Sequence, residues 1–210
     1  MRVPPVDEDI LDKIGPWSEV KLEIIRKYAK AYSQIFANRP GLAHLYIDAF
    51  AGAGRHISKR SGELVPGSPA IALDIEPPFR EYHFIDIDGL KIQLLEDLAK
   101  QRKSVVVHHG DCNVVIQNEL LALLRYDQFK RGLSILDPYG MDLKWSTVDG
   151  LAKTGTTDVF INFPVMDINR NALRVDPDKI SSDQSARMTS FWGGDTWRNE
   201  FYAKQAQIPL

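Results

Sequence analysis

The sequence predicts an α/β protein built on a doubly wound, mostly parallel sheet. Three observations carry that expectation. Short, almost wholly apolar runs alternate with longer amphipathic ones, the pattern of strands covered by helices on both faces. The first of the strand-like runs ends in Gly-Ala-Gly, which lets the chain turn sharply where a Cβ would clash. Acidic residues close the next runs, at the strand ends where open sheets of this class bind ligands.

Taken in order, residues 1–15 read as a flexible lead-in ending at Gly15-Pro16, and 16–210 as one domain. From Trp17 the pattern is helical to about Asn38. Val20, Ile24, Tyr28 and Tyr32 share one stripe, Leu22, Ile25 and Ala29 lie beside it, and Lys21, Glu23, Lys27 and Lys30 take the remaining face. Pro40-Gly41 stops the helix. Strands are expected at LAHLYIDAF (42–50), EYHFIDI (81–87), SVVVHHG (104–110), LSILD (133–137) and TDVFINF (157–163). Helices are expected at SPAIALDI (68–75), GLKIQLLEDLAKQR (89–102), NVVIQNELLALLRY (113–126) and KWSTVDGLAK (144–153). Ser68-Pro69 supplies a capping hydroxyl and a first-turn proline. The stretch 164–210 shows helical fragments, with Asp195 as a cap for a helix holding Trp197, Phe201 and Tyr202. It offers no further strand, so strands that would close such a sheet are expected to be missing.

A chain of 210 residues buries an adequate core without metals or disulfides. The single cysteine, Cys112, excludes a disulfide framework and a cysteine-rich zinc site, and nothing calls for a metal. No apolar run approaches the roughly 18 residues of a membrane span. The acidic, proline-rich start is neither a signal nor a transit peptide, so a cytoplasmic protein is expected. A net charge of −2 excludes a global electrostatic footprint for nucleic acid, leaving only a local patch for that purpose.

The strand ends hold the candidate site. Asp48 sits inside the first strand, where a buried carboxylate needs partners from the glycine turn or from a ligand amino group. Gly52 and Gly54 form GxG, but Ile57 stands at the third position of a dinucleotide fingerprint, and no Gly-Lys-Ser/Thr phosphate loop exists. Asp86, at the second strand end, is placed to accept ribose hydroxyls, while Asp88 is placed to cap the next helix. The gap from Gly54 to Asp86 exceeds the roughly 20 residues of a plain dinucleotide unit. The excess matches a loop, RHISKRSGELVPG (55–67). Asp111 either accepts an adenine amino group or caps the helix starting near Asn113; Cys112 reads as a small buried residue. Asp137-Pro138-Tyr139-Gly140 combines a carboxylate, a fixed turn and an aromatic face, and is also a good turn in its own right. Arg55, His56, Lys59 and Arg60 either contact phosphates or form a solvated loop. Acids and glycines at four strand ends fit S-adenosylmethionine better than a phosphate-bearing cofactor. The adenosine needs acceptors, the methionine ammonium needs a carboxylate, and there is no pyrophosphate to neutralise.

The segments GPWSEVKLEII (15–25), YIDAFAGAG (46–54), SGELVPGSPAIAL (61–73), YHFIDID (82–88), LDPYG (136–140) and FWGGDTW (191–197) occur in an order that resembles the three-Cys-motif partner family. The resemblance implies the Rossmann-like fold of class I S-adenosylmethionine-dependent methyltransferases, and a three-cysteine-motif protein as partner. It implies cofactor contacts at Asp48, Ala49, Gly52, Gly54, Asp86 and Asp111. The loop at Asp137, Pro138 and Tyr139 is similar to the Asp-Pro-Pro-Tyr loop of amino-group methyltransferases, including those that methylate adenine in ribosomal RNA; here Tyr-Gly follows Asp-Pro. The implied activity is methyl transfer to an amino nitrogen of a nucleic acid base, with RNA or DNA met by Arg55, Lys59 and Arg60. The alternative is a non-catalytic, cofactor-binding subunit working with the three-Cys-motif protein. A nicotinamide-dependent enzyme is disfavoured by the missing third glycine.

Overall fold

A computed structural model describes residues 10–100, 102, 104–174 and 179–203. Five parallel strands form the main sheet: β2 (Ala43–Asp48), β5 (Glu81–Asp86), β6 (Val105–His109), β7 (Lys130–Leu136) and β8 (Thr157–Ile161). Their order is β6-β5-β2-β7-β8, so the winding reverses between β2 and β7. This is a Rossmann-like, doubly wound sheet, with its switch point at the carboxyl end of β2.

Alternation along the strands sorts side chains between two helical layers. Tyr46, Tyr82, Phe84, Leu133 and Ile135 face α1 (Pro16–Ala37), α2 (Ser68–Leu73) and α3 (Gly89–Ala99). Ile47, Ile85 and Leu136 face the other layer. There α4 (Cys112–Val115) runs through a π turn, Ile116–Leu120, into α5 (Leu121–Leu123). That layer also holds α6 (Trp145–Lys153), α7 (Val165–Asn171) and α8 (Ser182–Trp192), with Trp197 fully buried in it.

Two expectations need correction, and the face that α1 buries is decided. Helix α1 buries Leu22, Ile25, Ala29, Tyr32 and Ser33, while Val20, Ile24 and Tyr28 are exposed. Two adjacent stripes of this helix are apolar, and the sheet covers the second. First, 55–67 is not a loop. Strands β3 (Arg55–Ser58) and β4 (Leu64–Pro66) form an antiparallel hairpin with Gly62 left-handed in its turn (φ 73°). Second, within the expected flexible lead-in, β1 (Lys13–Ile14) pairs in parallel with β3 and completes a three-stranded sheet. Residues 1–9 of that lead-in lie outside the described residues. In 164–203 the additions are helices, and β8 is an edge of the main sheet among the described residues. No helix among the described residues is long and apolar enough to cross a membrane.

Candidate functional site

After Asp48 the chain leaves β2, and Gly52 and Gly54 take left-handed conformations (φ 63° and 72°) that L side chains rarely adopt. Asp86 fixes this turn from the neighbouring strand end. Its Oδ2 accepts the Gly52 amide at 2.8 Å and its Oδ1 accepts the Asp88 amide at 2.9 Å. One carboxylate thus ties the glycine turn to the start of the second crossover. Gly54 faces the helical layer: a Cβ there would stand 3.0 Å from Leu98 Cδ2.

The strand-end acids divide as the sequence suggests. Asp88 caps α3, accepting the Leu90 amide at 2.8 Å. Asp111 caps α4, accepting the Asn113 amide at 2.8 Å, and also lines a cleft at the strand ends. That cleft holds about 370 Å³ and is bordered by Ala49, Phe50, Asp86, Ile87, Asp111 and Cys112. Burial pushes the Cys112 thiol up to about 12, which suits an inert lining residue rather than a nucleophile. Across the cleft, Arg187 is paired with Asp142 at 2.9 Å.

A second cavity, of about 210 Å³, adjoins the first through Phe50 and Tyr139, which line both. Its walls carry Asp12, Lys21, His56, Ser68, Asp137 and Asn162. Asp137 is engaged on both oxygens: Asn162 Nδ2 donates to Oδ1 at 2.7 Å, and Lys21 of α1 pairs with Oδ2. Tyr139 lies over the glycine turn, its hydroxyl 4.0 Å from where a Gly52 Cβ would be. That hydroxyl donates to Asp12 Oδ2 at 2.9 Å and accepts from Lys91 Nζ at 3.2 Å, while Lys91 also binds Asp12 at 2.8 Å. Burial pushes the Tyr139 phenol up to about 12, so it remains a hydrogen-bond donor at neutral pH. Burial works to raise the Asp12 carboxyl, but the hydrogen bonds from Lys91 and Tyr139 outweigh it and hold the group below its ordinary value.

Asp48 is fully buried and neither of its oxygens has a hydrogen-bond partner among the described residues. Burial pushes its carboxyl up to about 7; polar contacts from the Ser68 side chain and the Phe50 backbone, too loose to be full hydrogen bonds, pull it down, and the charges of Asp137 and Asp86 add to the rise. It lies between the two acids rather than on either cavity wall.

Asp86, Asp111 and Ala49 therefore gather at one cleft, and Asp137, Pro138 and Tyr139 at the cavity beside it. Arg55, Lys59 and Arg60 sit on the β3–β4 hairpin and line neither cavity. Lys21, Asn162, Asp12 and Lys91 are site residues that no local sequence motif marks. Only Asn162, following the last strand, stands at a position that strand-end reasoning would reach. Among the described residues no cluster of His, Cys, Asp and Glu could hold a metal.

No family model and no curated protein matches the chain. Solved structures do. Protein LPL1258 from Legionella pneumophila str. Philadelphia 1, of the family model DUF519, is 14% identical over 66% of this chain and 66% of its own, with a TM-score of 0.49. The Escherichia coli "Putative methyltransferase yhhF" is 16% identical over 66% of this chain and 67% of its own, with a TM-score of 0.39. The match with LPL1258 thus leaves about a third of either chain unaligned.

Proposed function

We propose that this protein is an S-adenosylmethionine-dependent methyltransferase acting on an amino nitrogen of a nucleic acid base. The observation that carries the reading is the pair of cavities meeting at Phe50 and Tyr139, one bordered by Asp86 and Asp111, the other by Asp137 and Pro138. The acids favour a ligand with hydroxyls, amino groups and positive charge over one with a pyrophosphate. Asp48 is fully buried and lines neither cavity, so it acts on a cationic ligand only through its charge, at a distance. Bound here, the cofactor supplies an electrophilic methyl group.

The chain's own residues position the rest. Asp86 and Asp111 offer acceptors to an adenosine, and Ile87 and Cys112 offer apolar surface to its base. Asp137, held by Lys21 and Asn162, presents a fixed carboxylate to the amino group of the acceptor. Tyr139, held by Asp12 and Lys91, presents a ring face on which a base stacks. Orientation of this kind contributes up to roughly 7–11 kcal/mol of barrier reduction. Arg55, Lys59 and Arg60, on the adjacent hairpin, supply phosphate contacts.

A second reading, a cofactor-binding subunit paired with a three-Cys-motif protein, draws on one observation. Both oxygens of Asp137 are already engaged within the chain. Calorimetry with S-adenosylmethionine and with NAD tests both readings, and Asp86→Ala should weaken the first and leave the second flat. Absence of S-adenosylmethionine binding sinks both. Transfer of labelled methyl to RNA or DNA, lost in Asp137→Ala, separates the enzyme from the subunit.

A further inference from the structure

We infer that the pole of the sheet opposite the candidate site binds single-stranded nucleic acid, through the segment RYDQFKR (125–131) and the turns beside it. The inference does not rest on the methyltransferase reading. Both cavities lie at the carboxyl ends of the parallel strands, whereas this segment enters the amino end of β7.

Phe129 is the one non-glycine residue among the described residues with a positive φ (51°, with ψ 34°). A bulky side chain is disfavoured in that left-handed conformation, where glycine is at no disadvantage. The fold gains little from the ring in return: Phe129 is 63% exposed and belongs to no core cluster. What the fold uses is its backbone. The Phe129 carbonyl accepts the Ala43 amide at 3.0 Å, and its own amide closes a turn on the Tyr126 carbonyl at 3.4 Å. Glycine would serve both bonds. A strained, exposed aromatic ring that glycine could replace points to a contact outside the chain.

The surroundings of the ring identify the contact. Tyr126, on the same turn, is 73% exposed, and Arg131 Cζ stands 5.1 Å from its ring centre. Arg131 pairs in register with His44, whose carbonyl accepts the Arg80 amide at 2.9 Å, and the turn carrying Arg39 leads into Ala43 beside Phe129. Lys130 is taken by Glu81 at 2.8 Å and Arg125 by Asp127 at 2.6 Å. Arg39, Arg80 and Arg131 have no ion pair among the described residues. The strand-end acids Asp48, Asp86, Asp111 and Asp137 gather at the far pole, so a net charge of −2 conceals a basic patch here. Two exposed rings among unpaired arginines suit a strand whose bases stack on the rings while its phosphates meet the guanidinium groups. An acidic peptide offers the rings no flat faces, and a duplex keeps its base faces stacked on one another.

Fluorescence anisotropy with labelled single-stranded RNA of mixed sequence tests the site. Wild type should bind the strand more tightly than the same sequence as a duplex, and affinity should fall as salt rises. Phe129→Gly should weaken binding about tenfold or more, while melting no lower than wild type. Arg39→Gln combined with Arg80→Gln should also weaken binding and flatten its salt dependence. Calorimetry with S-adenosylmethionine should give the same result for these variants as for wild type, so failure at this pole leaves the methyltransferase reading standing. Wild type that does not bind the strand, or that binds the duplex or polyglutamate as tightly, overturns the proposal. Binding lost only when Arg55, Lys59 and Arg60 are changed overturns it in favour of the hairpin. So does a Phe129→Gly protein that binds as wild type does, or one that melts lower, which assigns the ring to the fold.

Discussion

Lys21, in the second turn of the first helix, is ion-paired with Asp137 at the end of the fourth strand of the main sheet, 116 residues later. The pair carries α1 into the candidate site, because the helix is anchored farther along by Ile25, Ala29 and Tyr32 in the core. Lys21→Met keeps the aliphatic stem and removes the charge. The pair is about a quarter exposed on each side, so the stability change should stay within about 1 kcal/mol. Methyl transfer should fall about tenfold or more, because a misaligned carboxylate loses orientation rather than binding. Thermal melts and single-turnover transfer check the two halves; unchanged transfer would remove Lys21 from the site.

Gly67, just before α2, is held against the glycine turn by its amide, which donates to the Gly54 carbonyl at 2.9 Å. A Cβ there would lie 2.9 Å from the Gly54 carbonyl carbon, a backbone atom that cannot swing away. Gly67→Ala should cost roughly 1–3 kcal/mol as overpacking and weaken cofactor binding by moving the turn. Gly194→Ala, where a Cβ meets nothing within 4 Å, serves as the neutral comparison. Equal melting of the two variants would contradict the close approach.

Local signals made the turn legible, and distance hid its partners. The apolar run ending in Gly-Ala-Gly, the cap at Asp88 and the dual character of Asp111 all follow from neighbours in sequence. The α1 stripes show where periodicity stops. Both 20-24-28 and 22-25-29 read as helical faces, and only the aromatic cluster of Tyr46, Phe79 and Tyr82 beneath decides for the second. The β3–β4 hairpin was concealed by a Lys-Arg-Ser-Gly turn that reads as an open loop. The ties from Lys21 to Asp137 and from Asp12 to Tyr139 span more than half the chain, beyond the reach of any sequence pattern.

His83 stacks on His108 with ring nitrogens 3.1 Å apart, away from the candidate site. Burial drives the His83 pKa down to about 4; the His108 and Lys130 charges add to this, and Glu81 opposes it. Burial also lowers His108, against Glu119 at 3.2 Å. Both rings are neutral when folded, whereas the unfolded chain takes up protons below about 6.5. Stability is therefore full above that value and falls as pH drops toward 4. Chemical denaturation at pH 7, 6 and 5 should show the decline, and His83→Asn should flatten it; a variant declining as steeply as wild type would assign the loss to other groups.

Asp48 has the opposite sign. Its folded pKa of about 7 lies above the ordinary carboxyl value of 3.8, so the folded protein holds a proton that the unfolded chain has lost between those values. Its contribution is complete below about pH 4 and disappears as pH rises through about 7. A shift of this size is worth on the order of 4 kcal/mol. Asp48→Asn removes the titration. The variant should be more stable than wild type at pH 8, by up to a few kcal/mol, and the gain should shrink toward pH 4. Binding of a cationic cofactor should respond inversely. Wild-type affinity for S-adenosylmethionine should rise with pH through about 7 as the carboxylate ionises, and Asp48→Asn should bind weakly at every pH. A buried acid that costs stability where the protein works is explained if a ligand's positive charge is what it waits for. Denaturation and calorimetry across pH 5 to 8 decide the matter: a variant that is both stabler and equally good at binding would leave Asp48 without that purpose.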